Sequence, residues 1–236
     1  ASGRADDLLT NVLLTADCPI VFAPAMHTEM WLHAATQANV TTLRSRGAVV
    51  VRPDVGRLTG PDAGVGRLPD PAELFAVAVS VLEDPGTAVR AASQDMAGLK
   101  VVVSAGGTRE PLDPVRFLGN SSSGLMGWAL ARAAVLRGAD VRLVAANVGL
   151  PAPPGAEVEP VGSTADLAQA MAVAAKDADV AVMAAAPADF TPATPSQAKI
   201  KKTADDGLEL TLVQTIDVLA SLVQARTDAR QVLVGF

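Results

Sequence analysis

After residue 98, short apolar runs alternate with stretches of helical periodicity, and this alternation limits the possible folds more than any other feature. Leu99–Ser104 reads as a strand, Ser121–Arg137 as a helix, Val141–Ala145 as a strand, Ala165–Ala175 as a helix and Val180–Ala184 as a strand. Near-continuous apolar strands are buried on both faces, which a parallel sheet covered by helices provides. The expected fold is α/β, a doubly wound parallel sheet with ligands beyond the carboxyl ends of its strands. Leu208–Val213, Val218–Gln224 and Val232–Phe236 add a strand, a helix and a strand.

The first part of the chain has the same character. Helical spacing over Leu8–Leu14 precedes Pro19 and a short strand, Ile20–Ala23; a helix is expected over Thr28–Arg46, with Thr28 as N-cap and Gly47 as the stop, then a strand over Ala48–Val51. Pro53–Pro69 holds four glycines and three prolines and reads as a long loop, followed by a helix over Asp70–Leu82. Between Glu83 and Gly98 the pattern dissolves around Pro85 and Gly86, so residues 1–84 are expected to form a first domain, 85–98 a linker and 99–236 a second domain. The chain starts abruptly before a helix and stops inside the apolar run Val232–Phe236, so both ends are expected to lie within a longer protein.

Half of the residues are hydrophobic, only 3% are aromatic and the formal net charge is −6. A nucleic-acid binder needs a basic surface and usually stacking rings, so no nucleic-acid partner is expected. No apolar run approaches the roughly 18 residues of a membrane span and the start lacks a secretory pattern, so no membrane partner is expected either. The single cysteine, Cys18, excludes an internal disulfide or a multi-cysteine metal site and suits a reducing, cytoplasmic setting. Beside Pro19 at a helix–strand junction, it is expected to be a buried packing residue.

Ser104–Gly127, SAGGTREPLDPVRFLGNSSSGLMG, directly follows a strand and directly precedes a helix. Gly106 and Gly107 would let the backbone approach a ligand, while Ser121, Ser122 and Ser123 bring hydroxyls and amides to a helix start where an anion fits. A strand-to-helix turn whose serines merely cap the helix is the plainer reading. A nicotinamide-binding turn would need G-x-G-x-x-G and an acidic residue at the end of the next strand, where this chain has Val144, Ala145 and Ala146.

The segment AGGTREPLDPVRFLGNSSSGLMG resembles the signature of the phosphopantothenoylcysteine synthetase family, AGxTxExxDxVRxxxNxSSGxMG. The likeness continues through Ala184–Phe190, Lys199–Lys202 (KIKK) and the closing Gly235 and Phe236. It implies a Rossmann-like domain in which CTP activates the carboxylate of 4′-phosphopantothenate as an acyl-cytidylate, cysteine's amine displaces CMP, and the product enters coenzyme A biosynthesis. Several negative charges meet in such a site, so fixed donors, lysine and Mg2+ carried on the triphosphate are implied, with no protein metal ligand assigned. The resemblance makes Asn120 the residue that holds the acyl-cytidylate, Arg116 a residue needed for its conversion and Lys199 a contact to the triphosphate. A loop-fixing salt bridge from Arg116 to Asp113 or Glu110 is the structural alternative, and KIKK alone would read as a solvated edge. CTP contacts are further implied for Gly106, Gly107, Ser121, Ser122, Ser123, Met126, Ala185, Asp189, Ile216, Asp217, Val218, Leu219 and Phe236. Thr215 and Ile216 stand where the family's NPDI-like turn has asparagine and proline.

Residues 23–31, APAMHTEMW, resemble the PxMNxxMW motif of flavin-dependent cysteine decarboxylases, a likeness covering about the first 85 residues. It implies the second half of a flavodoxin-like α/β domain, with FMN as cofactor, acting on the synthetase product to give 4′-phosphopantetheine. His27 occupies the motif asparagine's position and Gly60 that of a cysteine proton donor, so His27, Met30 and Gly60 mark the substrate and flavin region. The family's active-site histidine matches nothing in this chain. Met26 and Met30 could equally be a core stripe at helical spacing, and Trp31 a packing residue. The combined resemblance implies a bifunctional ligase and lyase and a homo-oligomer, with decarboxylase trimers and synthetase dimers building a dodecamer. The alternatives are a nicotinamide-dependent oxidoreductase, from the doubly wound pattern alone, and a non-catalytic regulatory paralogue, from His27 and Gly60.

Overall fold

A computed structural model describes residues 1–201 and 207–236. The chain divides into two compact units: Ala1–Gly98 with Arg132–Asp140 and Pro151–Ala156, and Leu99–Ala131 with Val141–Leu150 and Glu157–Phe236.

In the first unit α1 (Leu8–Thr15) opens on a capping box in which Asp7 accepts the Thr10 amide at 2.8 Å. β1 (Val21–Phe22) pairs in parallel with β2 (Val49–Val50), and between them run α2 (Thr28–Leu32) and α3 (Ala34–Ser45). The single helix expected from Thr28 to Arg46 is therefore broken, and its N-cap is His27 rather than Thr28. The break lies at His33, which leaves helical geometry with ψ 134° and caps α3 by accepting the Ala35 amide on its imidazole at 3.2 Å. The expected loop over Pro53–Pro69 is an antiparallel hairpin, β3 (Asp54–Arg57) and β4 (Ala63–Arg67). Gly66 makes this possible: with φ +146° it passes so near the Met26 carbonyl that a Cβ would lie 2.0 Å from that oxygen.

α4 (Pro71–Glu83) starts with proline at a first-turn position, where its missing N–H costs nothing, and Asp70 accepts the Ala72 amide at 2.9 Å. The expected linker is largely helical, as α5 (Gly86–Ser93). Its Ala88 and Ala91, one turn apart, are buried in the same core as Val49, Val51, Val77 and Val81, so burial overrides the breaker signal of Pro85–Gly86. Trp31 and Val40 form a second core with Val50, against which Met26 packs. Met26 precedes α2 and Met30 is 57% exposed, so the two are not a buried helical stripe. Cys18 is exposed, at a bend ahead of β1, and is not the packing residue expected.

The second unit begins with β5 (Lys100–Gly106), followed by the hairpin β6 (Arg109–Asp113) and β7 (Arg116–Gly119), then α6 (Leu125–Leu136) and β8 (Asp140–Ala146). β9 (Ala156–Val161), α7 (Thr164–Ala175), β10 (Val180–Met183), β11 (Phe190–Pro192), β12 (Leu212–Gln214), α8 (Val218–Ala225) and β13 (Val232–Gly235) complete it. Five strands form a parallel sheet in the order β13-β10-β5-β8-β9. The chain works outward from β5 to β9, then crosses back to β10 and β13, so the order reverses between β5 and β10. Ligands of doubly wound sheets bind at the carboxyl ends of such a reversal.

The sequence pattern did not predict β9, whose glutamates and Pro160 mark it as a sheet edge rather than a buried strand. α6 starts at Leu125 and not at Ser121, because Gly124 takes φ +78° and its carbonyl accepts the first helical bond, from Trp128 at 3.0 Å. The strand expected over Leu208–Val213 is the shorter β12, antiparallel to β11. Lys202 lies outside the described residues. Val102, Val144, Leu167 and Met171 centre the core, each about 2 kcal/mol of apolar burial.

Candidate functional site

A cleft of about 390 Å3 opens at the carboxyl end of β10. Ala185, Asp189 and Phe236, singled out from separate stretches of sequence, all line it, and so do Ile216, Asp217, Val218 and Leu219. Val218 is only 2% exposed and its side chain belongs to the core, which leaves its backbone to face a ligand. Asp217 caps α8, accepting the Ala220 amide at 2.8 Å, so one of its oxygens is already engaged. Pattern reading missed Pro187, Phe190 and Gln214, which also line the cleft; the last two face each other across the β11–β12 pair.

One wall segment, 184–186, is fixed by the Ser104 side chain and by backbone groups at the end of β5. Ser104, fully buried, accepts the Ala184 and Ala185 amides on its hydroxyl, each at 3.1 Å. The Ala186 amide donates to the Gly106 carbonyl at 2.7 Å, and Gly107 bridges Ala186 in parallel. The glycines of the motif serve this close approach. A Cβ on Gly106, whose φ is +85°, would meet the Ala146 carbonyl oxygen at 2.1 Å, and one on Gly107 the Asn120 oxygen at 2.5 Å. The space left by their missing side chains is thus filled by the chain's own backbone, and neither Gly106 nor Gly107 lines the cleft. Gly127 plays the same part between α6 and β5, since its Cβ would lie 2.4 Å from that of Ala105. Asn147, also missed, sits at φ +55° and donates to the carbonyls of Gly107 and Gly162 at 3.0 and 2.8 Å; asparagine tolerance of this left-handed geometry was its only sequence signal.

Asn120, Arg116 and Lys199 lie outside the cleft lining, and of the three Asn120 bonds to a residue that lines it. Asn120 Nδ2 donates to the carbonyl of Pro187 at 2.8 Å. Arg116 pairs through Nε with Asp113 at 3.2 Å and donates to the Ile200 carbonyl. Asp113, with no exposed side-chain surface, also accepts the Val115, Arg116 and Ile200 amides at 2.9, 2.8 and 3.0 Å. Burial alone would push this carboxyl up, but the three amides and the guanidinium outweigh it and hold it below the usual value. The partner of Arg116 is therefore Asp113; Glu110 is buried instead against the start of α7. Through Ile200 the exposed Lys199 is placed beside the β6–β7 hairpin. Ser122 and Ser123 hydroxyls accept the Gly124 and Leu125 amides at 3.4 Å, ahead of α6; Ser121 and the exposed Met126 flank them. No group of three or more His, Cys, Asp or Glu among the described residues is placed to hold a metal ion.

Residues 96–236 match the family model described as the DNA/pantothenate metabolism flavoprotein C-terminal domain. The chain belongs to that family. A second family model, described as flavoprotein, matches residues 1–83. The coenzyme A biosynthesis bifunctional protein CoaBC of Mycolicibacterium smegmatis is 55% identical over the whole chain and 57% of its own length. That of Mycobacterium tuberculosis is 54% identical with the same coverage, so the chain spans a little over half the length of these relatives. Among solved structures, the C-terminal domain of a bifunctional protein CoaBC matches with a TM-score of 0.51 and 33% identity, over 60% of this chain and 65% of that one.

In the first unit, His27 opens α2 without using its imidazole as a cap, and its Nδ1 lies 3.9 Å from Asp62, two residues past Gly60 in the hairpin turn. Met30 is exposed on the next turn. His27 and the hairpin turn thus come together. A separate concavity of about 450 Å3 beneath α1 is lined by Cys18, Phe22 and Arg46 but by none of His27, Met30 or Gly60. Among the described residues no helix is long and apolar enough to cross a membrane.

Proposed function

We propose that the protein containing this chain is a coenzyme A biosynthesis enzyme that joins 4′-phosphopantothenate to cysteine at the expense of CTP and decarboxylates the product. The observation that carries this reading is the convergence of Ala185, Asp189, Ile216–Leu219 and Phe236, distant in sequence, on one cleft beside the carboxyl ends of β10 and β13. In this reading the cleft takes the cytidine, with the ring against Phe236 and polar groups against Asp189. Arg116 and Lys199 supply positive charge where the triphosphate and carboxylate meet, and Asn120 holds the mixed anhydride. Asp113 orients the Arg116 guanidinium for that role. Mg2+ would arrive on the triphosphate and offset its charge.

The family match over 1–83 supports flavin use. The exposed Met30 and the imidazole of His27, partly exposed and near Asp62, fit a ligand-facing surface, and these two would hold the edge of FMN or of the substrate carboxylate. When bound, FMN supplies oxidation of the cysteine thiol, which eases loss of carbon dioxide. A cytoplasmic homo-oligomer belongs to the same reading.

The test is pyrophosphate release by the full-length protein. It is expected only with CTP, 4′-phosphopantothenate and Mg2+ together, and Arg116→Ala should lower kcat at least a hundredfold. Equal turnover without a nucleoside triphosphate would refute the ligase reading.

A further inference from the structure

Glu110 is 4% exposed and, with Asp113, is a buried carboxylate of the second unit; it has no part in the chemistry above. Its Oε1 accepts the Thr164 amide at 2.8 Å and lies 2.9 Å from the Thr164 hydroxyl. A hydroxyl has one hydrogen. Donation to Glu110 uses that of Thr164, so the 2.9 Å contact between the Thr164 and Thr108 hydroxyls is donation by Thr108. The 3.4 Å approach of the Thr164 hydroxyl to the Ala188 carbonyl is a poorer use of the same hydrogen. The Thr108 oxygen then accepts the Ala188 amide at 2.8 Å. The result is a one-way chain from the Ala188 amide through Thr108 and Thr164 to Glu110, a sequence in which each bond polarises the next.

The Ala188 carbonyl is held from another direction, by the Thr215 hydroxyl at 2.6 Å, while the Thr215 amide donates to the Asp189 carbonyl at 2.9 Å. Ala188 lies between β10 and β11, outside both strands, and both of its backbone polar groups are met by side chains from elsewhere. It lines the cleft next to Asp189.

We propose that Thr108 and Thr215 are positioning residues for the nucleotide. They fix the Ala185–Asp189 wall against the Thr215–Leu219 turn, through a buried hydroxyl chain that ends on Glu110. This inference rests on the cytidine reading of the cleft and adds to it the residues that set the cleft's shape. Thr215 stands where the resembled family has asparagine, and its hydroxyl gives that position a fastening that a purely apolar residue would lack.

The experiment compares Thr215→Val with Thr215→Ser, and Thr108→Val with Thr108→Ser, in the full-length protein. CTP binding is measured by calorimetry, and KM for CTP and for cysteine by steady-state kinetics. Thr215→Val, which keeps shape and loses the hydroxyl, should raise the Kd and KM for CTP five- to tenfold, leaving kcat and the KM for cysteine within twofold. Thr215→Ser should restore CTP affinity to within twofold, and Thr108→Val should act in the same direction with a larger change. If Thr108→Val does not fold, the half-buried Thr215 pair decides alone. Wild-type CTP binding with an unchanged Thr215→Val overturns this inference only, as does a serine variant as weak as the valine or a matching rise in the KM for cysteine. Absence of CTP binding in the wild type overturns both this inference and the function on which it rests.

Discussion

Gly60 and Gly106 share a left-handed backbone, with φ +63° and +85°, yet sit in opposite surroundings. A Cβ on Gly60, at the turn of the first unit's hairpin, would have nothing within 4 Å; one on Gly106 would meet the Ala146 carbonyl oxygen at 2.1 Å and Val148 at 2.4 Å. The first glycine answers a local torsional need. The second allows β5, β8 and the segment after β10 to crowd together where the sheet order reverses. Both stretches are glycine-rich, so glycine count does not tell a free turn from a crowded junction; what surrounds each glycine does.

The largest expected effect follows directly. Gly106→Ala combines left-handed strain with a backbone clash and should cost about 4 kcal/mol, or prevent folding. Gly60→Ala should cost only about 1 kcal/mol. Urea denaturation of both variants breaks the comparison if the two losses are equal. Next in size is Glu73→Ala in the first unit. Glu73 holds Arg132 through two bonds of 2.8 and 2.9 Å and is 3% exposed, so removing it strands a guanidinium that is largely buried. A loss of about 3 kcal/mol is expected by the same measurement, and a loss below about 1 kcal/mol would show that water reaches Arg132.

The smallest effect sharpens the contrast from the second unit's side. Asp113 is held below its ordinary value of 3.8, with burial opposing and the amides and Arg116 prevailing. Because its native value is the lower one, the unfolded chain takes up the proton first as the pH falls. The stabilisation is therefore full above 3.8 and fades as the pH drops through the native value. The stability gap between wild type and Asp113→Asn should narrow as the pH falls below 3.8. A constant gap there would show that the carboxylate's charge contributes nothing.

What the sequence revealed follows from what drove each element. β5 and β8 were legible because burial on both faces demands continuous apolar runs, and β9 was not, because its edge position admits glutamates and a proline. The β3–β4 hairpin was hidden by glycines that it needs for contact with Met26 and Thr28. α5 was hidden by Pro85–Gly86, although Ala88 and Ala91 drive it by burial. The break at His33 carried no proline or glycine, only an imidazole suited to capping. Ala185, Asp189, Ile216–Leu219 and Phe236 of the cleft's lining were legible through family likeness, whereas Pro187, Phe190 and Gln214 were not. The hydroxyl chain behind the cleft was not legible either, since Thr108, Glu110, Thr164 and Thr215 meet only once the sheet has formed.

Asp113 accepts the amide of Ile200 as well as those of its own turn. That shared acceptor latches the lysine-bearing strip to the β6–β7 hairpin, since letting go would strip an enclosed anion of a donor. The backbone beside Lys199 is consequently fixed by folding, so a ligand binding there would have only the lysine side chain left to order.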